Sequence, residues 1–272
     1  MLFPVIGRNA YAPQYAPQAL AFFARLATQP SDARKKAYAD LIGGLVADGI
    51  WSLLDALWIL AAADSATALK NLVSSSFSLT ANGAMTFTAN AGYQSDNVAT
   101  SFLATGYTPS TAGGQLTQNS GSFGAYSLTT DSSAGFFAPI GCIDATNGLF
   151  IFPQFSAGSL GGRVNANAGG TNSPNPIPNS QMKGFYTFSR TSSGVVNVYK
   201  NGSTLGSIAQ TSSGLPTVAM TLFSRNNNGT QDDPWPDQCS AFYIGGGLNA
   251  AQVLQLSTRI NTYMTVLGIN VY

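Results

Sequence analysis

Val195-Val196-Asn197-Val198-Tyr199-Lys200-Asn201-Gly202-Ser203 decides how this chain is read. Apolar residues recur at short spacing up to an Asn-Gly pair, and that dipeptide suits the positive φ angles of a type I′ turn. The stretch predicts a β-hairpin whose return strand covers residues 205–208. Outward from it, strand-like runs appear at 77–80, 85–89, 101–104, 123–128, 136–140, 149–152, 161–165, 184–189, 218–223 and 241–244. About a dozen short strands with Gly, Asn and Ser between them form the pattern of an antiparallel β-sandwich or jelly roll.

Before residue 75 the period is helical instead. Leu20, Phe23 and Leu26 predict a helix over 15–27, with Pro17 tolerable in its first turn. Pro30-Ser31-Asp32 caps a second helix that reaches residue 47, with Tyr38, Leu41, Ile42 and Leu45 on one stripe. Asp48-Gly49 ends it. Leu54, Leu57 and Trp58 predict a third helix over 51–62, and Asp64-Ser65 caps a short fourth over 66–73. A final helix runs from the cap Asn249 to about residue 267, burying Leu256, Ile260, Tyr263 and Leu267. The expected fold is mainly β: an α-helical segment over 1–75, then an antiparallel sandwich over 76–272.

Composition removes whole classes of chemistry. The chain has no histidine and no glutamate, and all eleven acidic residues are aspartates. Without histidine there is no Ser-His-Asp or Cys-His relay, and the usual nitrogen ligand of zinc is missing. Charged residues make up 8%, against roughly 25% in a typical soluble domain. The net charge of +1 supplies no field toward nucleic acid or acidic lipid. A surface this poor in charge favours burial against copies of itself or a partner. Arg34-Lys35-Lys36 reads as one solvated helix turn rather than a nucleic-acid patch.

Cys142 and Cys239 can pair, since their spacing forbids nothing, but two isolated cysteines in a large domain are more often buried, inert thiols. Met1-Leu2-Phe3-Pro4 lacks the basic and apolar regions of a signal peptide. The apolar run 41–63 is broken by Gly43-Gly44, Asp48 and Asp55, so it is expected to be a helix pair and not a membrane anchor.

Several motifs resemble known families. The order Tyr199-Lys200-Asn201-Gly202, then Ser240-Ala241-Phe242-Tyr243-Ile244-Gly245, then Leu248-Asn249-Ala250-Ala251-Gln252 resembles the end of a concanavalin A-like (laminin-G-like) jelly roll. The helical leader, Arg34 to Ile42 and Gly49 to Trp58, is similar to that of tailed-phage virion proteins. Ala68 to Val73, followed by a strand ending near Gly92-Tyr93, continues the likeness. The resemblance implies a structural phage protein, assembled in the host cytoplasm, whose helical residues 1–75 dock onto other virion proteins. Its jelly roll would face outward and bind a host-surface polysaccharide, and the protein would form a homo-oligomer. The glucanase members of the fold need glutamates that this chain lacks, so hydrolysis does not carry over, and no enzyme, nucleic-acid partner or membrane insertion is expected.

One segment stands out as a site. Asp232-Asp233-Pro234-Trp235-Pro236-Asp237 follows Asn226-Asn227-Asn228-Gly229. Asp232, Asp233 and Asp237 could supply the oxygen shell that calcium requires, the only cofactor entertained. Trp235, with Asn226, Asn228 and Asp237, could receive a sugar ring. The competing reading, which is favoured, is a polar rim loop whose tryptophan packs on the core. Residues 165–179 read as a long polar surface loop. Two alternatives remain. One is a purely architectural capsid-decoration or fibre-adaptor protein without ligand. The other is a polysaccharide lyase using Arg163, Tyr186 and Lys183, which requires those side chains to share a face.

Overall fold

A computed structural model describes residues 14–130, 135–156, 158–169 and 177–272. Met1-Leu2-Phe3-Pro4 and part of the polar stretch, 170–176, lie outside the described residues. The chain opens with helices α1 (Pro17–Phe23) and α2 (Asp32–Ala47), then strand β1 (Leu54–Ile59) and helix α3 (Ser65–Ala68). Short strands β2 (Thr80–Asn82), β3 (Thr86–Thr88), β4 (Gly92–Gln94) and β5 (Phe102–Ala104) follow. The body of the sandwich is β6 (Gly121–Ser127), β7 (Ile140–Ile143), β8 (Asn147–Ser156), β9 (Ser159–Asn167), β10 (Ile177–Pro178) and β11 (Gly184–Arg190). Then come β12 (Val195–Lys200), β13 (Ser203–Ala209), β14 (Thr221–Leu222), β15 (Arg225–Asn227), β16 (Thr230–Asp232), β17 (Cys239–Gly245) and helix α4 (Ala250–Val266).

The first sheet has the order β13-β12-β11-β6-β17-β4-β3, with β1 also paired to β17. The second layer holds a six-stranded sheet, β16-β15-β7-β14-β5-β2, and a three-stranded one, β10-β9-β8. Its pairs are antiparallel except β15 with β7. The predicted hairpin is present: Asn201 and Gly202 have φ of 55° and 80°, as a type I′ turn requires. The α4 cap is present too, with Asn249 and Gln252 forming a reciprocal capping box.

The third helix is not. Residues 54–59 form β1, antiparallel to β17 with Leu57 opposite Tyr243 and Trp58 opposite Phe242. Every β1 residue is buried. Ala56 and Trp58 enter the core between the sheets, while Leu57 and Ile59 enter the core under the helices. A strand buried on both faces reads as a continuous apolar run, and periodicity cannot separate it from a buried helix. The run 41–63 is therefore the end of α2 plus a strand. Among the described residues no helix is long and apolar enough to cross a membrane. Residues 14–75 supply helices α1, α2 and α3 and also a strand of the first sheet, β1.

Three expected strands shift for backbone reasons. Phe77 and Phe223 take positive φ, 59° and 67°, so one strand starts only at Thr80 and another stops at Leu222. The run 136–140 is strand only from Ile140, because Pro139 offers no N–H to a ladder.

Two large cores fill the molecule. Alternate residues of the first sheet point to opposite sides, so Phe123, Ala125, Phe188 and Phe242 pack against the second layer. Tyr126, Phe185, Ala241 and Tyr243 pack under α1, α2 and α4. The central strands of the first sheet, β11, β6, β17 and β1, are thus covered on both faces. Asp55 ties β1 to the loop before β6: its carboxylate accepts the Tyr107 hydroxyl at 2.8 Å and the N–H groups of Gln115 and Leu116 at 2.5 and 3.0 Å. Cys142 and Cys239 are unpaired and fully buried, and burial pushes both thiols well above their ordinary pKa.

Candidate functional site

The outer face of the second layer carries a cluster of charged and aromatic groups. Asn228 and Gly229, with φ of 50° and 96°, close a two-residue turn between β15 and β16. That turn sets Arg225 opposite Asp232 across the hairpin. Arg225 Nε donates to Asp232 Oδ1 at 2.9 Å and Nη2 to Oδ2 at 2.8 Å, a bidentate pair. Asn227 Nδ2 donates to the same carboxylate at 2.7 Å. Beneath them the guanidinium lies 4.9 Å from the Phe150 ring centre and 5.4 Å from that of Phe152. Along β8, Leu149 and Ile151 point inward while Phe150 and Phe152 point out, joining Ala138 and Ile143 in a small outer cluster. Phe136 stands edge-on to Phe152 at 5.4 Å and is 54% exposed.

Asp233 shares the same cation. Its Oδ2 lies 2.7 Å from Arg225 Nη2, a close ion pair without hydrogen-bond geometry. Burial raises its carboxyl to about 6, against the pull of Arg225 and with help from the Asp232 charge. A carboxyl raised in the folded state holds its proton more tightly there than in the unfolded chain. Its contribution therefore makes stability fall as pH rises from near 3.8 to about 6 and level off above. Urea unfolding at several pH values checks this: Asp233→Asn removes that fall, so the difference between variant and parent changes only across this window. Asp144 has the opposite sign. Burial alone would raise it, but the N–H groups of Asn147, Thr146 and Thr217 and the Thr217 hydroxyl hold it well below its ordinary value.

The residues singled out in the sequence separate. Trp235 is fully buried in the core between the sheets, its backbone N–H donating to the Phe223 carbonyl and its backbone carbonyl accepting from the Ser95 hydroxyl. No face of the ring is left for a sugar. Asn226 is buried, with Nδ2 on the Ala219 carbonyl and Oδ1 on the Gly229 N–H. Asn228 is exposed at the hairpin tip. Asp237 is buried near Cys239 and Tyr186; burial raises the pKa of both, and the Asp237 charge adds to it. Asp232 and Asp233 close on Arg225, so the guanidinium stands where the calcium reading placed a cation. Among the described residues no group of three His, Cys, Asp or Glu converges on one point.

The lyase constellation does not assemble either. Tyr186 is wholly buried between the sheets, while Arg163 lies over Phe150 on the outer face. The two side chains do not share a face. Arg225, Phe136, Phe150 and Phe152 were not singled out in the sequence. The readable signal was Asn228-Gly229: taken as a type I′ turn, it counts back to Arg225 opposite Asp232.

Geometrically the molecule is a mainly β, two-layer and almost wholly antiparallel sandwich with an N-terminal helical segment. No family model matches the chain, and no curated protein does. Among solved structures it is similar to domain 4 of AbnA, a GH43 extracellular arabinanase from Geobacillus stearothermophilus, solved in complex with arabinotriose. The TM-score is 0.50 at 18% identity, covering 75% of this chain and 98% of that one. The receptor-binding domain of botulinum neurotoxin type G gives 0.49 at 16% identity, and this chain spans about half (51%) of it and 76% of itself. The CBM40 of the Ruminococcus gnavus sialidase gives 0.37 at 12% identity, covering 50% of this chain and 82% of that one. The first of these likenesses shows the fold.

Proposed function

We propose that this chain is a non-catalytic, carbohydrate-binding jelly roll of a tailed-phage particle, with Phe136 and the Arg225–Asp232 pair as its glycan face. The carrying observation is the half-exposed Phe136 ring packed on Phe152, over which the Arg225 guanidinium also lies while paired with the Asp232 carboxylate, itself bonded to the Asn227 amide. A sugar ring needs an apolar face to stack on and fixed polar groups at its edge, and this surface offers both. The likeness to a domain solved with arabinotriose supports the reading. The layer order supports the particle role: the helices lie beyond the first sheet, on the side away from the glycan face. Helices docking onto other virion proteins would leave that face outward.

The test combines a glycan array of bacterial surface polysaccharides with titration of arabinotriose. Phe136→Ala is expected to weaken binding about tenfold, the loss of one stacking contact, with little change in unfolding temperature. Antibody labelling of particles by electron microscopy then reads the location. Signal on tail tip or fibres fits host recognition. Absence from particles sinks the virion half alone. A second reading, architectural decoration without ligand, is favoured by one observation: the Arg225 charge is already paired with Asp232 and Asp233. An array without signal decides for it.

A further inference from the structure

The α1–α2 face holds a feature that the glycan reading does not use. A groove of about 910 Å³ runs between the two helices. Leu20 of α1 lines it and is 52% exposed, and Lys35, Lys36, Ala39, Asp40 and Gly43 line it from α2. Among the charged residues of the α2 side, Asp32 included, lie the small residues Ala33, Ala39 and Gly43. A Cβ placed on Gly43 would meet nothing within 4 Å, so a second helix axis can approach closely there. Charge in this chain is scarce, yet basic Lys35 and Lys36 stand one turn before acidic Asp40 on this one helix. Lys36 and Asp40 have no other ion partner among the described residues than each other, at 2.6 Å, with side chains 71% and 61% exposed.

From this arrangement we infer that the groove is the self-association surface of the protein, taking the α2 helix of a second copy in antiparallel orientation. A two-fold axis near residue 38 puts each Lys35–Lys36 pair opposite the other copy's Asp40, twice over. Such a surface is complementary to itself, as an isologous interface must be. Ala39 and Gly43 let the helices come together, and Leu20 of each copy is covered at the rim. A helix with a single sign of charge on that face could not pair this way. The inference stands apart from the glycan reading, because it uses no residue of the outer face.

Analytical ultracentrifugation of the full chain over a wide dilution series tests it. The parent chain is expected to dimerise. Asp40→Lys alone, and Lys35→Asp with Lys36→Asp, should each weaken the dimer at least about tenfold by opposing like charges. Mixing the two variants should restore a mixed dimer. Circular dichroism and thermal unfolding confirm that each variant is folded, which these exposed positions permit. A parent chain that stays monomeric overturns the inference, as does a dimer indifferent to both charge reversals. A chain lacking residues 1–13 that dimerises where the full chain does not also overturns it, and assigns the groove to that segment.

Discussion

Trp235→Ala is expected to lower stability by about 3–5 kcal/mol, the range for deleting a large buried aromatic side chain. The ring is fully enclosed between the sheets, in one core with Tyr93, Phe223, Cys239 and Phe242. Nothing nearby can collapse into the space without moving a strand. Urea denaturation with an unchanged slope should show an earlier midpoint, and Trp235→Phe should recover much of the loss. The outcome also discriminates between roles. A variant that unfolds normally but loses glycan binding would return Trp235 to the surface and displace Phe136 from the proposed site.

The second large effect falls on Asp55. Asp55→Ala is expected to cost about 3–5 kcal/mol, because it strands buried donors that had a charged acceptor. The Tyr107 hydroxyl and the N–H groups of Gln115 and Leu116 all lose their partner at once. Space there is tight: a Cβ on Gly114 would sit 2.1 Å from Asp55 Oδ1, so the loop cannot carry a bulkier residue at that point. Asp55→Asn should recover only part of the loss, since its NH₂ would face a donor. Hydrogen exchange at the amides of Gln115 and Leu116 gives the local reading, and both should exchange faster in the variant. Slow exchange there, with stability kept, would mean that the loop holds by packing alone.

These two residues also mark the limit of what can be read from sequence. Strands with one apolar face and a sharp turn were legible, as at Val195–Lys200 and its Asn201-Gly202 turn. Local hydrogen bonding was legible too, as in the Asn249 and Gln252 capping box. β1 was not, because its alternation vanishes once both faces are covered, one by the second layer and one by helices. Trp235 was ambiguous for a related reason. Flanking prolines and aspartates suggest exposure, while the direction of the ring depends on Phe223 and Ser95, 12 and 140 positions away in the chain. The Arg225–Asp232 pair lay within reach of turn arithmetic. The aromatic bed beneath it did not, because Phe150 and Phe152 arrive from a strand in another part of the chain.

β17 is the last strand in the chain, yet it sits inside the first sheet, with β6 on one side and β1 and β4 on the other. During synthesis the early segments must therefore wait. β1 leaves the ribosome as a strand apolar but for Asp55, and its ladder partner β17 is complete only once residue 245 has followed it. α1 and α2 likewise have no sheet to cover until then. Non-local closure of this kind slows folding and leaves strand edges open in the interim. Completion is then a single late event, in which one strand closes the sheet and seats the helices that were made first.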